Sequence, residues 1–110
     1  MVRTLQTLMK FYHHESCGQC TPCREGTGWL HRLATRLEEG RAAPGDIDLL
    51  ARVADNMLGN TICLLADAAA VPVASFVTKF RGEFEEHLRL GGCPQRLPVR
   101  SENAAAAASA

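Results

Sequence analysis

Apolar residues recur along most of this chain at helical spacing, and they divide it into segments. In residues 3–14, Leu5, Leu8, Met9 and Tyr12 fall at the i, i+3, i+4, i+7 positions of one helix face, with Thr4 as a plausible N-cap. A second helix is predicted from about Cys23 to Glu39. Its stripe is Trp29, Leu30, Leu33, Ala34 and Leu37, and Gly40 stands where a C-cap glycine is expected. Residues 41–46 contain the Pro44-Gly45 breaker and end on Asp46, a good N-cap. A third helix follows from Ile47 to about Leu58, with Leu50, Val53, Ala54 and Met57 on its buried face. Thr61–Leu65 is short and apolar and reads as a strand or a buried turn. Asp67 caps a short helical turn over residues 68–70, and Pro72 suits the first position of a fourth long helix. That helix carries Val73, Phe76, Val77, Phe80, Phe84 and Leu88 on one face and stops at Gly91-Gly92.

Four amphipathic helices with short connections predict an all-α fold, a four-helix bundle. The domain occupies residues 1–92, and residues 93–110, ending in a run of alanines, read as an irregular tail. In an up-down-up-down bundle the first and third connections lie at the same end. Cys93 follows the last helix, at the opposite end.

Those connections hold the chemistry. The first contains Ser16-Cys17-Gly18-Gln19-Cys20-Thr21-Pro22-Cys23, three of the five cysteines in seven residues. Two-residue gaps let three thiols converge from one loop, and Gly18 and Pro22 suit a tight turn. A fourth ligand must come from elsewhere. Cys63 lies in the third connection, so topology prefers it over Cys93, despite the 39 residues between Cys23 and Cys63.

A C-x2-C-x2-C run with one remote cysteine is a common ligand pattern for a 4Fe–4S cluster, here Cys17, Cys20, Cys23 and Cys63. The helix starting near Cys23 would direct backbone N–H groups at sulfur, and Arg24 and Lys10 would offset negative charge. A structural zinc site is the alternative, although such sites usually pair two C-x2-C knuckles. A thiol–disulfide motif fits less well, because the βαβ context is missing. His13 and His14 read as helix-end residues, Trp29 as core, Asp67 as a cap and Cys93 as a non-ligand thiol. Gly26 and Gly28 weaken the second helix and mark a close approach of the backbone to something bulky, such as a cluster.

Composition narrows the classes. Twelve basic and twelve acidic residues balance, which argues against nucleic-acid and anionic-membrane binding. No uncharged stretch is long enough for direct membrane insertion. The N-terminus lacks an apolar signal-peptide core, and five cysteines, an odd number with three clustered, fit a reducing cytoplasm better than a disulfide framework.

The segment Phe11-Tyr12-His13-His14-Glu15-Ser16-Cys17-Gly18-Gln19-Cys20-Thr21-Pro22-Cys23-Arg24-Glu25-Gly26 resembles the iron–sulfur motif of the flavoprotein (51-kDa) component of NADH:quinone oxidoreductase, respiratory complex I. The flavoprotein components of NAD-linked hydrogenases and formate dehydrogenases share it. Thr61-Ile62-Cys63 with Asp67–Ala70 resembles the downstream ligand segment, and Phe80-Arg81-Gly82-Glu83-Phe84-Glu85 is similar to the family's late helix. The step Leu64-Leu65-Ala66 departs from the family's usual Ala-Leu-Gly. The resemblance implies Cys17, Cys20, Cys23 and Cys63 as cluster ligands and an electron-transfer module of an NADH dehydrogenase. In the family it resembles, such a module passes single electrons from FMN to downstream clusters. The glycine-rich segment for FMN and NADH is absent from these 110 residues, so no catalytic residue for hydride transfer is expected here. The chain is then a fragment or a split subunit. Expected partners are an FMN/NADH-binding flavoprotein domain and other iron–sulfur subunits, in the cytoplasm and peripheral to the inner membrane through the complex. The competing reading is a cluster-less or zinc-binding structural or interaction module.

Overall fold

The computed structural model describes residues 1–96. Five α-helices follow one another: α1 (Val2–Glu15), α2 (Thr21–Glu39), α3 (Asp46–Met57), α4 (Leu65–Lys79) and α5 (Arg81–Leu90), then a short 3-10 turn (Pro94–Arg96). No strand occurs among the described residues, and the expected all-α fold is observed. No helix is long and apolar enough to cross a membrane.

α1 packs on α2, α2 on α3, α3 on α4, and α4 closes back onto α1. The core between them is built from Val2, Leu5 and Met9 of α1, Leu30, Leu33 and Leu37 of α2, Ile47, Leu50 and Met57 of α3, and Ala66, Ala69, Ala70 and Val73 of α4. The small residues of α4 let it approach its neighbours closely. α5 leans on α2 and α4 and buries Phe84 completely.

Several local expectations are corrected. α1 begins at Val2, so Thr4 lies inside the helix rather than capping it. Asp46 is the first helical residue of α3 and not its N-cap, yet its carboxylate still closes the turn. It accepts the Ala43 N–H at 3.0 Å and pairs with Arg36 at 3.1 Å. Trp29 is not core: it is 49% exposed, at the edge of the α2 stripe over the groove between α2 and α3.

The fourth predicted helix starts seven residues early and breaks. α4 runs through Pro72. The proline deprives the Ala68 carbonyl of a helical donor, and Ala68 is exposed, where solvent can serve instead. The break falls at Phe80, with φ −119° and ψ 28°, which serves as C-cap of α4 and N-cap of α5. The turn re-aims the chain so that Phe84 enters the core. Arg81 donates to Asp48 Oδ1 of α3 at 2.8 Å. Cys93 is buried, and most of the expected irregular tail, residues 97–110, lies outside the described residues.

Candidate metal centre

The connection between α1 and α2 and the one between α3 and α4 meet at one end of the bundle. A cavity of about 130 Å³ there is lined by Glu15, Ser16, Cys17, Gln19, Cys20, Cys23, Thr61, Cys63 and Leu65. It brings together the three thiols of the C-x2-C-x2-C run and Cys63. All four are free thiols; Cys23 is buried, Cys20 half-buried, and Cys17 and Cys63 exposed. Cys93 does not reach this cavity. It lies beside Glu38, near the other end of α2.

The loop is shaped by local chemistry. Gly18 adopts φ +82°, a left-handed turn that only glycine takes freely. The Arg24 guanidinium, one turn into α2, donates to the Gly18 carbonyl at 2.8 Å and so holds the loop against the helix. This is a positioning role that charge alone does not reveal. Ser16 Oγ lies 3.3 Å from Cys23 Sγ. The Ile62 N–H donates to Cys20 Sγ at 3.5 Å, which links the two connections directly. Asp67 Oδ1 accepts the Gly59 N–H at 2.9 Å, tying the end of α3 to the first turn of α4.

Two helix N-termini flank the cavity. Cys20 is the N-cap of α2 and Cys23 lies in its first turn; Cys63 directly precedes Leu64, the N-cap of α4. First-turn N–H groups have no intrahelical acceptor and give the helix end a partial positive charge. Four thiolates with a metal core form an anionic group, so two such ends and an N–H on sulfur favour it. The donor set, its convergence and this field all fit a metal–thiolate centre of the 4Fe–4S type.

Other expectations change here. Thr61–Leu65 is neither a strand nor buried: Ile62 is 87% and Leu64 77% exposed. The large groups beside Gly26 and Gly28 are not a cluster. A Cβ on Gly26 would stand 2.5 Å from Met57 Sδ, and one on Gly28 would stand 3.1 Å from the His13 ring. His13 and His14 line no part of the cysteine cavity, as expected of helix-end residues. His13 Nδ1 lies 3.4 Å from Thr27 Oγ1, a buried hydroxyl that donates to the Cys23 carbonyl at 2.7 Å. Sequence reasoning misses Thr27, because a threonine inside a helix gives no signal.

Residues 3–87 match the family model described as the NADH-ubiquinone oxidoreductase-F iron-sulfur binding region. The chain is 50% identical over 94 residues to the F subunit of the NADH-quinone oxidoreductase of Mycobacterium tuberculosis, covering 86% of this chain and 21% of that protein. It is 49% identical over 89 residues to the mitochondrial NADH dehydrogenase [ubiquinone] flavoprotein 1 of Dictyostelium discoideum, covering 81% of this chain and 19% of that one. The chain thus spans about a fifth of the length of these relatives. A cavity walled by four thiols and a match across nearly all of the helical domain lead to one assignment: the chain belongs to the family of the NADH-ubiquinone oxidoreductase-F iron–sulfur binding region.

Proposed function

We propose that this chain is the electron-relay module of an NADH dehydrogenase, and that Cys17, Cys20, Cys23 and Cys63 hold its 4Fe–4S cluster. The observation that carries the reading is the convergence of these four thiols on one cavity between two helix N-termini. When bound, such a cluster accepts and donates electrons one at a time. The residues of the chain determine how it is held. Cys17, Cys20 and Cys23 present three thiolates from one loop, and Cys63 closes the set from the opposite connection. Arg24 keeps the loop in its turn by binding the Gly18 carbonyl. The Ile62 N–H on Cys20 sulfur stabilises negative charge there and tunes the potential.

In this reading residues 1–92 are the cluster domain and residues 93–110 an appendage to it. Electrons come from FMN, reduced by NADH, on a flavoprotein domain or partner chain, and leave to other iron–sulfur subunits. The exposed Ile62 and Leu64, on either side of Cys63, are apolar surface of the kind a docked partner covers. The module works in the cytoplasm, peripheral to the inner membrane through the complex.

Anaerobic reconstitution of the full chain with iron and sulfide tests the reading. The expected product is brown, carries about four irons per chain and gives an EPR signal on reduction. A colourless protein that takes up zinc at the cysteine loop instead of iron overturns it.

A further inference from the structure

At the end of the bundle away from the cysteine loop, three ligand-type side chains from three chain segments meet in the interior. Glu38 is in the last turn of α2, His87 in the last turn of α5, and Cys93 in the segment beyond α5. All three are buried, and a carboxylate oxygen, an imidazole nitrogen and the thiol sulfur lie within 4.8 Å of one another.

The tautomer of His87 sets what its second ring nitrogen offers to them. Its Nδ1 is 2.8 Å from the Glu83 backbone oxygen. A carbonyl only accepts, so Nδ1 carries the proton, and in the neutral ring Nε2 presents a lone pair. That lone pair faces Glu38 Oε2 at 3.4 Å, an acceptor against an acceptor, and Nε2 has no hydrogen bond among the described residues. A cation between the two atoms resolves the conflict. Nitrogen and oxygen ligands of tetrahedral zinc, each at about 2.0–2.1 Å from the metal, stand about 3.3–3.4 Å apart. Metal-bound histidines typically donate their second N–H to a carbonyl or carboxylate, as His87 does.

We propose that Glu38, His87 and Cys93 form a second metal site, for a divalent cation of the zinc class, that fastens the segment after α5 to the end of α2. One carboxylate, one imidazole and one thiolate are a donor set suited to zinc, and the two anionic ligands balance its charge. Arg3 Nη1 approaches the other Glu38 oxygen, Oε1, at 4.0 Å. The backbone is built to bring the ligands together. Gly40, at φ +76°, lets the Gly91 carbonyl come so close that a Cβ would stand 1.9 Å from it. The Gly92 N–H then donates to the His87 carbonyl at 3.0 Å, which turns Cys93 inward. A groove of about 300 Å³, lined by Glu83, Glu86, His87, Cys93, Pro94 and Gln95, reaches the site from solvent. It gives the ion a way in and leaves room for a water as fourth ligand. The 15 residue-to-residue steps of α2 from Cys23 to Glu38 put roughly 22 Å of helix between the two sites.

The test uses the full chain, loaded anaerobically with iron and sulfide, then given a small excess of zinc and desalted. We expect about one zinc per chain to remain, with an X-ray absorption spectrum showing a single sulfur neighbour among nitrogen and oxygen. Cys93→Ala and His87→Gln should each lower retained zinc at least tenfold and leave the iron content unchanged. The sulfur count keeps the sites apart even if the cysteine loop takes no iron, because zinc bound there would have four sulfur neighbours. If the wild-type chain keeps no zinc, or keeps only zinc with four sulfur neighbours, the proposal fails. Equal one-sulfur zinc in the wild type and both variants also overturns it.

Discussion

Cys63 and Cys93 show how much a single cysteine's place in the fold matters. Both are single cysteines far along the chain from the triplet. Only Cys63 lines the cavity with Cys17, Cys20 and Cys23. Cys63→Ser should therefore abolish stable incorporation of iron, whereas Cys93→Ser should leave about four irons per chain, both read by metal analysis and EPR. The reverse outcome would reassign the fourth ligand. His31 supplies a different test. Burial first, then the His13 imidazole, then the charges of Lys10 and Arg32 hold its pKa below the ordinary 6.5. Below that pH the unfolded chain takes up a proton that the folded chain resists, so the unfolded state binds more protons and stability falls. Denaturation midpoints measured from about pH 8 down to about pH 5 should decline through this window. His31→Gln should remove part of the decline, and an unchanged slope in that variant would refute the assignment.

At the scale of the element, Gly26 and Gly28 sit two residues apart in α2 but have opposite consequences. A Cβ at Gly26 meets the buried side chain of Met57 on α3, including its Cγ at 2.7 Å, and α3 cannot retreat without opening the core. Overpacking of about 1–3 kcal/mol should outweigh the gain of about 1 kcal/mol from replacing glycine in a helix. Gly26→Ala is thus expected to lower the denaturation midpoint. Gly28→Ala meets only the exposed ring of His13, which can swing aside, and should be neutral or stabilising by up to about 1 kcal/mol. Chemical denaturation of the two variants side by side decides the matter. The same helix shows where periodicity succeeds. Leu30, Leu33, Ala34 and Leu37 follow the apolar stripe and are buried. Trp29 fails because a stripe has edges, and its width depends on how α3 crosses α2. The break at Phe80 is illegible for a related reason. Phe76, Phe80, Phe84 and Leu88 keep one unbroken spacing, and Gly82, two residues past the break, gives no clear stop, because α2 carries Gly26 and Gly28 without breaking. Only the burial of Phe84 in a changed direction reveals it.

At the scale of the molecule, the proposed relay needs an electron donor, and that need can be tested. We predict that NADH alone leaves the reconstituted cluster oxidised, and that adding an FMN-loaded flavoprotein domain of a close relative allows its reduction, followed by EPR. Reduction by NADH without that domain would mean that the chain carries a nicotinamide site of its own.

What is legible in this molecule divides along a physical line. Helical periodicity and the thiol spacing are local properties, so the all-α class, the clustered triplet and its cluster chemistry are legible in the order of residues. The preference for Cys63 follows from counting helices, because each short connection reverses the chain. Contacts between distant segments depend on crossing angles and side-chain volumes that no local pattern carries. Folding alone therefore decided that Gly26 faces Met57, that Arg24 grips the Gly18 carbonyl, and that Ile62 and Leu64 face outward. It also brought Glu38, His87 and Cys93, spread over 56 residues, within 4.8 Å of one another. That meeting needed the break at Phe80 and the close approach of Gly91 to Gly40; the glycines mark helix ends in the chain, but not which ends meet.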